Sequence, residues 1–187
     1  MITYEVNQAD LRRVMKKLKG METKAPRVIK NAINKTAKEA RKTLAEGAQD
    51  SYTVKNAGFN SRMKIEKATA GKLYAVIRAQ DRTLTLTRFH ATAPKSGGKA
   101  DIVKSGLKTI VGSMGIKAFK ISGGAAAGLI AQRKGRDRKP IKVLRSNSVP
   151  KMLEKVYEGE RGMKGALEPV ISKSLHDAIN AEIAKLI

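Results

Sequence analysis

The stretch at residues 138–153, RKPIKVLRSNSVPKML, constrains the fold of this chain more than any other. Pro140 suits the start or the edge of a strand, because its missing N–H would leave a gap inside a sheet. Ser148 is a typical residue to precede a helix, and Pro150 fits the first helical turn, where its N–H would have no partner. The stretch therefore predicts a strand that is joined to a helix by a short, tight connection. This connection sets the angle at which the C-terminal part returns to the sheet.

The spacing of apolar residues predicts an α+β fold with a largely antiparallel sheet, covered by a long N-terminal helix and by C-terminal helices. Predicted helices span 11–18, 24–47, 150–158 and 167–186. Predicted strands span 2–6, 52–54, 63–66, 73–77, 83–87, 109–111, 116–121, 125–131 and 140–145. The strict alternation of Thr and Leu at 83–87 favours a hairpin with the apolar strand at 73–77. We expect residues 1–187 to form a single domain, with residues 148–187 as its C-terminal helical segment.

Residues 90–106 are predicted to be a long basic loop. The Pro and Gly residues of this segment oppose regular structure, and Lys95, Lys99 and Lys104 make it basic. Loops of this length in a compact domain are usually functional or disordered. The segment is either an arm that reaches a neighbouring subunit or a mobile insertion, and the sequence favours neither.

Positive charge is the dominant feature of the composition. The 187 residues include 39 Lys and Arg but only 16 Asp and Glu, for a formal net charge of +23. Residues 108–147 carry ten basic side chains and one acidic side chain, whereas residues 148–187 carry six of each. A basic surface is therefore expected to face nucleic acid or an acidic protein wall. The alternative is that scattered lysines only keep the protein soluble, although the net charge exceeds what solubility requires.

A basic turn at residues 132–139 is predicted to connect the last two strands as a hairpin. Cations on such a turn can contact phosphate groups, and these contacts carry no base specificity. The residues expected to face DNA or an acidic partner are Lys95, Lys99, Arg133, Lys134, Arg136, Arg138 and Lys139. The alternative is that the turn only faces solvent.

The residues needed for catalysis, metal binding or disulfide formation are missing or poorly placed. There is no cysteine, which excludes disulfides and thiolate metal sites. His90 and His176 lack the spacing of metal ligands, and no serine lies in the context of a nucleophile elbow. The glycines at 97 and 98 lack the spacing of a phosphate-binding loop. We therefore expect no enzyme activity, no catalytic or metal site, and no cofactor.

Membrane and sequence-reading DNA-binding classes are also disfavoured. The N-terminus lacks the basic region and apolar run of a signal peptide, and no apolar run approaches the length of a membrane span. There is no zinc-finger spacing and no clear helix-turn-helix, and aromatic residues, at 4%, are too few for base stacking. We expect no membrane contact and no sequence-specific reading of DNA.

Six residues around the strand–helix stretch resemble the signature of the phage minor tail protein Z family. In that signature an Arg precedes a basic-Pro-Ile strand, and a Ser-Val-Pro turn then leads into a helix. The matching residues are Arg133, Pro140, Ile141, Ser148, Val149 and Pro150. The resemblance is specific in this stretch and general, in the order of elements, elsewhere.

The resemblance implies a structural virion protein at the head-proximal end of the tail, which completes the tail and joins it to the head. It also implies an oligomeric ring, expected by analogy to have six subunits. Its expected partners are other tail and neck proteins and the genomic DNA that passes through the lumen. The virion, and the host cytoplasm during assembly, are the expected locations. The alternative is an independent nucleic-acid-binding protein without sequence specificity, which the net charge alone would support.

Overall fold

A computed structural model of the chain describes residues 2–5, 12, 16, 17, 22–55, 57–160 and 166–185. Its main helices are α1 (Ala25–Ser51), α2 (Val149–Glu158) and α3 (Glu168–Ala184). Helices α2 and α3 are the two predicted C-terminal helices, and short strands occupy much of the region between α1 and α2. This combination of helices with antiparallel strands confirms the predicted α+β class.

Nine strands form three antiparallel sheets within the described part of the chain. Their bounds are β1 (Ile2–Glu5), β2 (Met63–Glu66), β3 (Tyr74–Ala79), β4 (His90–Thr92), β5 (Lys99–Asp101), β6 (Lys108–Thr109), β7 (Phe119–Lys120), β8 (Ile130–Arg133) and β9 (Ile141–Val143). The strand orders are β1-β3-β2, β4-β5-β6 and β7-β8-β9. The second and third sheets, which have the shortest strands, are called the small sheets below.

Helix α1 forms the centre of the helical part of the molecule. Its buried residues recur at helical spacing from Ala25 to Ala48, and the helix packs against both the first sheet and α3. The sequence predicted that this helix ends at Gly47, but it continues to Ser51. Gly47 allows a close contact rather than a helix stop, because a Cβ atom there would lie 2.8 Å from Cδ1 of Leu167.

Helix α2 anchors the C-terminal segment in the core. Ser148 precedes its first turn, and the Met152 amide donates a hydrogen bond to the Ser148 carbonyl at 3.0 Å. Val149 is completely buried in an apolar cluster shared with the C-terminal half of α1. Gly159 ends the helix with a φ of +76°, a conformation that glycine adopts without steric cost. The predicted strand and helix are thus both present, but β9 ends at Val143 and residues 144–148 connect it to α2.

The strand predicted at 83–87 is wrong. Leu86–Arg88 form a 3-10 turn, and Thr85 contributes only an isolated bridge to Arg145. Leu86 is nevertheless buried, because its side chain enters the apolar cluster between the small sheets. Strand β3 pairs with β1 and β2 instead, and these partners occupy both of its edges, which leaves no position for the predicted hairpin.

The prediction of a long loop at 90–106 is also wrong. Strands β4 and β5 pair as a hairpin in this segment, with His90 opposite Asp101. The Pro and Gly residues that favoured a loop lie largely in the turn of the hairpin, where the Gly97 amide donates to the Pro94 carbonyl at 3.0 Å. The segment is therefore a folded part of the second sheet.

Several other predicted strands are shorter than expected. Residues 52–54 form no strand, and the strands predicted at 109–111 and 116–121 are reduced to the two-residue strands β6 and β7. The apolar run that begins at residue 125 turns first, because Gly124 and Gly128 both have positive φ, and β8 begins only at Ile130.

The predicted helix at 11–18 lies largely outside the described residues. Arg12, Lys16 and Lys17 are described, and they are helical. Nζ of Lys17 donates a hydrogen bond to Oδ1 of Asn180 in α3 at 3.4 Å. The predicted first strand is confirmed as β1, which pairs with β3.

Candidate nucleic-acid interface

Backbone contacts join the two small sheets into one unit. The Gly98 amide donates a hydrogen bond to the Ala118 carbonyl at 2.9 Å, and Val111, shortly after β6, forms an isolated β-bridge with Lys117, shortly before β7. A few buried side chains fill the space between the sheets: Leu86, Ala100, Ala118 and Ile130. Partly buried apolar residues pack against this centre, and the lysines and arginines of both sheets lie on the outside.

The outward-facing side chains of the small sheets are strongly basic. Residues 90–143 contain twelve Lys and Arg but only two Asp, a net charge of +10. All twelve cations are exposed, and together they are called the basic surface: Lys95, Lys99, Lys104, Lys108, Lys117, Lys120, Arg133, Lys134, Arg136, Arg138, Lys139 and Lys142. Within the described ranges, none of the twelve makes an ion pair with a carboxylate. Their charge can therefore act on an external anion.

The two acidic residues of the region do little to neutralise it. Asp101 is buried, and its Oδ1 accepts a hydrogen bond from the Ser105 amide at 2.9 Å, which stabilises the turn after β5. Asp137 lies on the exposed hairpin turn between Arg136 and Arg138. The electrostatic potential around the small sheets is therefore set by the cations.

Five of the predicted residues lie together on the hairpin formed by β8 and β9. Arg133 ends β8 directly opposite Ile141 of β9, and the Lys134 amide donates to the Pro140 carbonyl at 3.0 Å. Residues 134–139 between them form a largely exposed turn. The predicted hairpin is confirmed, and it brings five cations to one end of the third sheet: Arg133, Lys134, Arg136, Arg138 and Lys139.

Arg133 makes a structural contact in addition to carrying an exposed charge. Its guanidinium carbon lies 6.0 Å from the ring centroid of Phe119 in β7, at the outer limit of cation–π attraction. The contact adds weakly to the backbone pairing of β7 with β8 at the base of the hairpin. Arg133 therefore supports the position of the turn that carries the other four cations.

Lys95 and Lys99 belong to the second sheet. Lys95 lies in the turn between β4 and β5, and Lys99 begins β5. The neighbouring Gly98 contacts Ala118 just before β7, and β7 pairs with the hairpin strand β8. The two lysines are thus part of the same folded unit as the hairpin formed by β8 and β9. No described contact joins either lysine directly to that hairpin.

Sequence reasoning did not assign five cations of the basic surface to contact with DNA or an acidic partner: Lys104, Lys108, Lys117, Lys120 and Lys142. They are spread over both small sheets, and only the pairing of β4 to β9 assembles them into one unit. The signal that could have found them is the absence of acid, because residues 102–136 contain no Asp or Glu.

The remaining signature residues serve the fold. Pro140 and Ile141 are exposed at the start of β9, whereas Ser148 and Pro150 are half-buried at the start of α2. Val149 between them is completely buried. These residues set the connection between the hairpin and the core rather than adding to the basic surface.

The part of the chain that the structure describes contains no group of three or more His, Cys, Asp or Glu that could hold a metal ion. Nδ1 of His176 lies 2.9 Å from the Ser172 carbonyl oxygen of its own helix. None of the described helices is both long and apolar enough to cross a lipid bilayer.

The chain was compared with known protein families, curated proteins and solved structures. The family model described as Prophage minor tail protein Z (GPZ) matches residues 10–187. The matched range includes the whole basic surface and the junction of β9 with α2. No significant match was found among curated proteins or solved structures.

Proposed function

The chain belongs to the prophage minor tail protein Z family, and from that premise we propose that it forms a ring around the DNA channel at the head-proximal end of the phage tail. It is a phage minor tail protein, and its place is the virion. In the proposed assembly, six copies complete the tail and join it to the head. Their partners are copies of the same chain, other tail and neck proteins, and the genome that passes through the lumen.

The observation that carries the proposal is the separation of charge between two parts of the molecule. Residues 90–143, which contain the basic surface, have a net charge of +10. Residues 148–187 are neutral, with six charges of each sign. A ring around a passing genome needs cations on its inner side, and the neutral C-terminal segment is then available for contacts with other proteins.

The form of the basic surface also supports contact with moving DNA. Its cations lie on turns and on strands of two to four residues, and no helix carries them. Such cations attract phosphate without reading bases, and the attraction weakens as salt rises. A genome can therefore slide past them, which a tight, sequence-reading contact would prevent.

The first test is the mass of nuclease-treated protein in solution at low and high salt. We expect a discrete multimer, close to 122 kDa for six chains of 20.3 kDa each, which persists at high salt. Duplex DNA added to the same sample should bind weakly per subunit and in a salt-dependent manner. A protein that stays monomeric at every salt concentration and binds duplex DNA tightly would contradict the proposal and favour an independent DNA-binding protein.

A further inference from the structure

Met114 lies at the tip of the turn Ser113–Gly115 and is 66% exposed. Its φ is +63°, in the left-handed region where a residue with a Cβ atom costs about 1 kcal/mol. The turn is closed by hydrogen bonds from the Gly115 amide to the Gly112 carbonyl and from the Gly112 amide to the Ile116 carbonyl. The fold therefore holds a large apolar side chain in solvent in an unfavourable backbone conformation.

Other exposed apolar residues, and two exposed lysines, lie near Met114 in the sequence. Leu107 and Val111 are also exposed large apolar side chains, and Lys108 and Lys117 in the same stretch are exposed cations. Exposed apolar residues that occur together mark interaction sites more often than single ones do. The stretch at 107–117, called the Met114 segment, thus has the chemistry of an apolar plug flanked by positive charge.

A pocket of complementary chemistry lies between the first sheet and α2. Its volume is about 140 Å³, and its apolar lining consists of Met63, Ile77, Ala79, Pro150, Leu153 and Tyr157. Glu154 and Glu158 of α2 complete the lining. This volume is close to the roughly 150 Å³ that accommodates a benzene-sized group, and well below the roughly 300 Å³ at which ligand pockets begin. The pocket therefore suits one apolar side chain rather than a small-molecule ligand.

The charge at the pocket is opposite to that of the Met114 segment. Glu154 pairs with Lys151 at 2.9 Å, whereas Glu158 is exposed and has no ion-pair partner among the described residues. Glu160, also exposed, lies just after α2 and pairs with Lys155. Residues 151–160 carry three glutamates and two lysines, so this stretch has a net charge of −1 in a chain whose net charge is +23, and Glu158 is its unpaired carboxylate among the described residues.

We propose that Met114 of one copy inserts into the pocket between the first sheet and α2 of a neighbouring copy, with Lys108 and Lys117 facing its glutamates. The two surfaces are formed by different elements of the chain, so the contact is heterologous. A heterologous contact that closes on itself generates a ring. The inference rests on the proposed ring and names the surfaces that build it.

The absence of cysteine from the chain allows a direct test by cross-linking. One preparation carries Met114→Cys and a second, distinguishable by a tag, carries Ala79→Cys in the pocket. With a short bifunctional thiol reagent, the mixture should give a covalent dimer that contains one chain of each kind, and each preparation alone should give none. Val170→Cys on α3, another exposed position, is the matched control and should not link to Ala79→Cys.

A second pair of variants separates the contact from folding. Met114→Asp should weaken self-association at least tenfold while the thermal unfolding of the chain stays unchanged, and Met114→Leu should retain association. Unchanged association in Met114→Asp would overturn the inference.

The two proposals can fail separately. If the wild-type chain forms a ring by mass but the Met114→Cys and Ala79→Cys chains do not link, the contact is wrong and the ring stands. If the chain is monomeric in solution, the same cross-linking experiment is carried out on assembled tails. Absence of the mixed dimer there would equally overturn the proposed contact.

Discussion

The amide of Gly98 donates a hydrogen bond to the carbonyl of Ala118 at 2.9 Å, and a Cβ atom at residue 98 would lie 2.8 Å from the Cβ of Ala118. This close approach joins the second sheet to the third. The relative position of the two sheets, and with it the arrangement of the basic surface, depends on the lack of a side chain at residue 98.

Gly98→Ala should therefore destabilise the protein. We expect the free energy of unfolding to fall by about 1–3 kcal/mol, because the added methyl group overpacks a contact that involves backbone on both sides. Denaturation by urea measures the change. Gly123→Ala is the matched control, since no atom lies within 4 Å of its added Cβ. Equal stability of the two variants would show that the second and third sheets can move apart at the contact of Gly98 with Ala118 without loss of stability.

Val149→Ala tests the anchoring of the β9–α2 junction. Val149 is 0% exposed, so truncation removes buried methyl groups and leaves a cavity, at a cost of about 2–3 kcal/mol. Val170→Ala makes the same chemical change at a side chain that is 55% exposed on α3, and it should change stability by less than about 0.5 kcal/mol. Thermal or chemical unfolding of both variants measures the difference. A small effect at Val149 would mean that α2 is not anchored in the core at this residue.

Tyr52 should make stability decline at alkaline pH. Burial raises the pKa of its hydroxyl to about 12, with a further contribution from Glu160 and partial opposition from Asn147. In the unfolded chain the Tyr52 phenol ionises near pH 10, whereas in the folded protein it stays neutral up to about pH 12. The contribution of Tyr52 to stability is therefore complete below pH 10 and is lost as the pH rises towards 12. Tyr52→Phe should remove this part of the decline in urea denaturation between about pH 9 and 12, and Tyr74→Phe, which alters an exposed phenol, should not.

The same variant has a second expected outcome at neutral pH. The Tyr52 hydroxyl is buried, and although the Asn147 side chain is near enough to lower its pKa, no described residue forms a hydrogen bond of normal geometry with it. Removal of a buried polar group without a partner is neutral or slightly stabilising. A loss of more than about 1 kcal/mol in Tyr52→Phe at pH 7 would indicate that the hydroxyl is hydrogen-bonded in solution.

Neutralisation of the hairpin turn should weaken DNA binding. The variant that replaces four cations with Gln at Lys134, Arg136, Arg138 and Lys139 leaves the Arg133–Phe119 contact intact. If each of the four cations contacts a phosphate, the slope of the logarithm of the binding constant against the logarithm of the salt concentration should become less steep. The expected change is up to about 3–4 units, at roughly 0.9 per contact. Binding to duplexes of different sequence should weaken equally.

The control for this prediction lies on α1, which also carries several cations. Replacement of Arg27, Lys35, Lys38 and Arg41 by Gln changes the net charge by the same amount. It should alter the salt dependence much less, because these residues lie outside the basic surface. An equal effect of both variants would show that only the net charge matters.

Much of the helical part could be predicted from the sequence, because long helices are encoded locally. The apolar stripe of α1 and the Ser-Val-Pro start of α2 follow from spacing and capping within a few residues. The end of α1 was missed for a tertiary reason, since the contact of Gly47 with Leu167 is made by residues 120 positions apart.

The small sheets could be predicted only in part. The hairpin at 132–139 was found because its cations and its flanking strands are consecutive in the chain. The strands at 90–101 were missed because their Pro and Gly residues suggested a loop, and the alternation at 83–87 suggested a strand where the chain forms a 3-10 turn. Strands of two or three residues contain too few positions for a reliable periodic signal.

The sequence by itself determined the fold class, the family, the position of the α2 junction and the strongly basic character of the middle of the chain. The fold class, the junction and the charge depend on composition and on local spacing, whereas the family follows from the resemblance of a few residues around the junction to its signature. Only the tertiary structure decided which strands pair, how Gly98 and Ala118 bring two sheets together, and which cations share one surface. Pairing and close approach depend on residues that are distant in sequence, and no local pattern records the partner of a short strand.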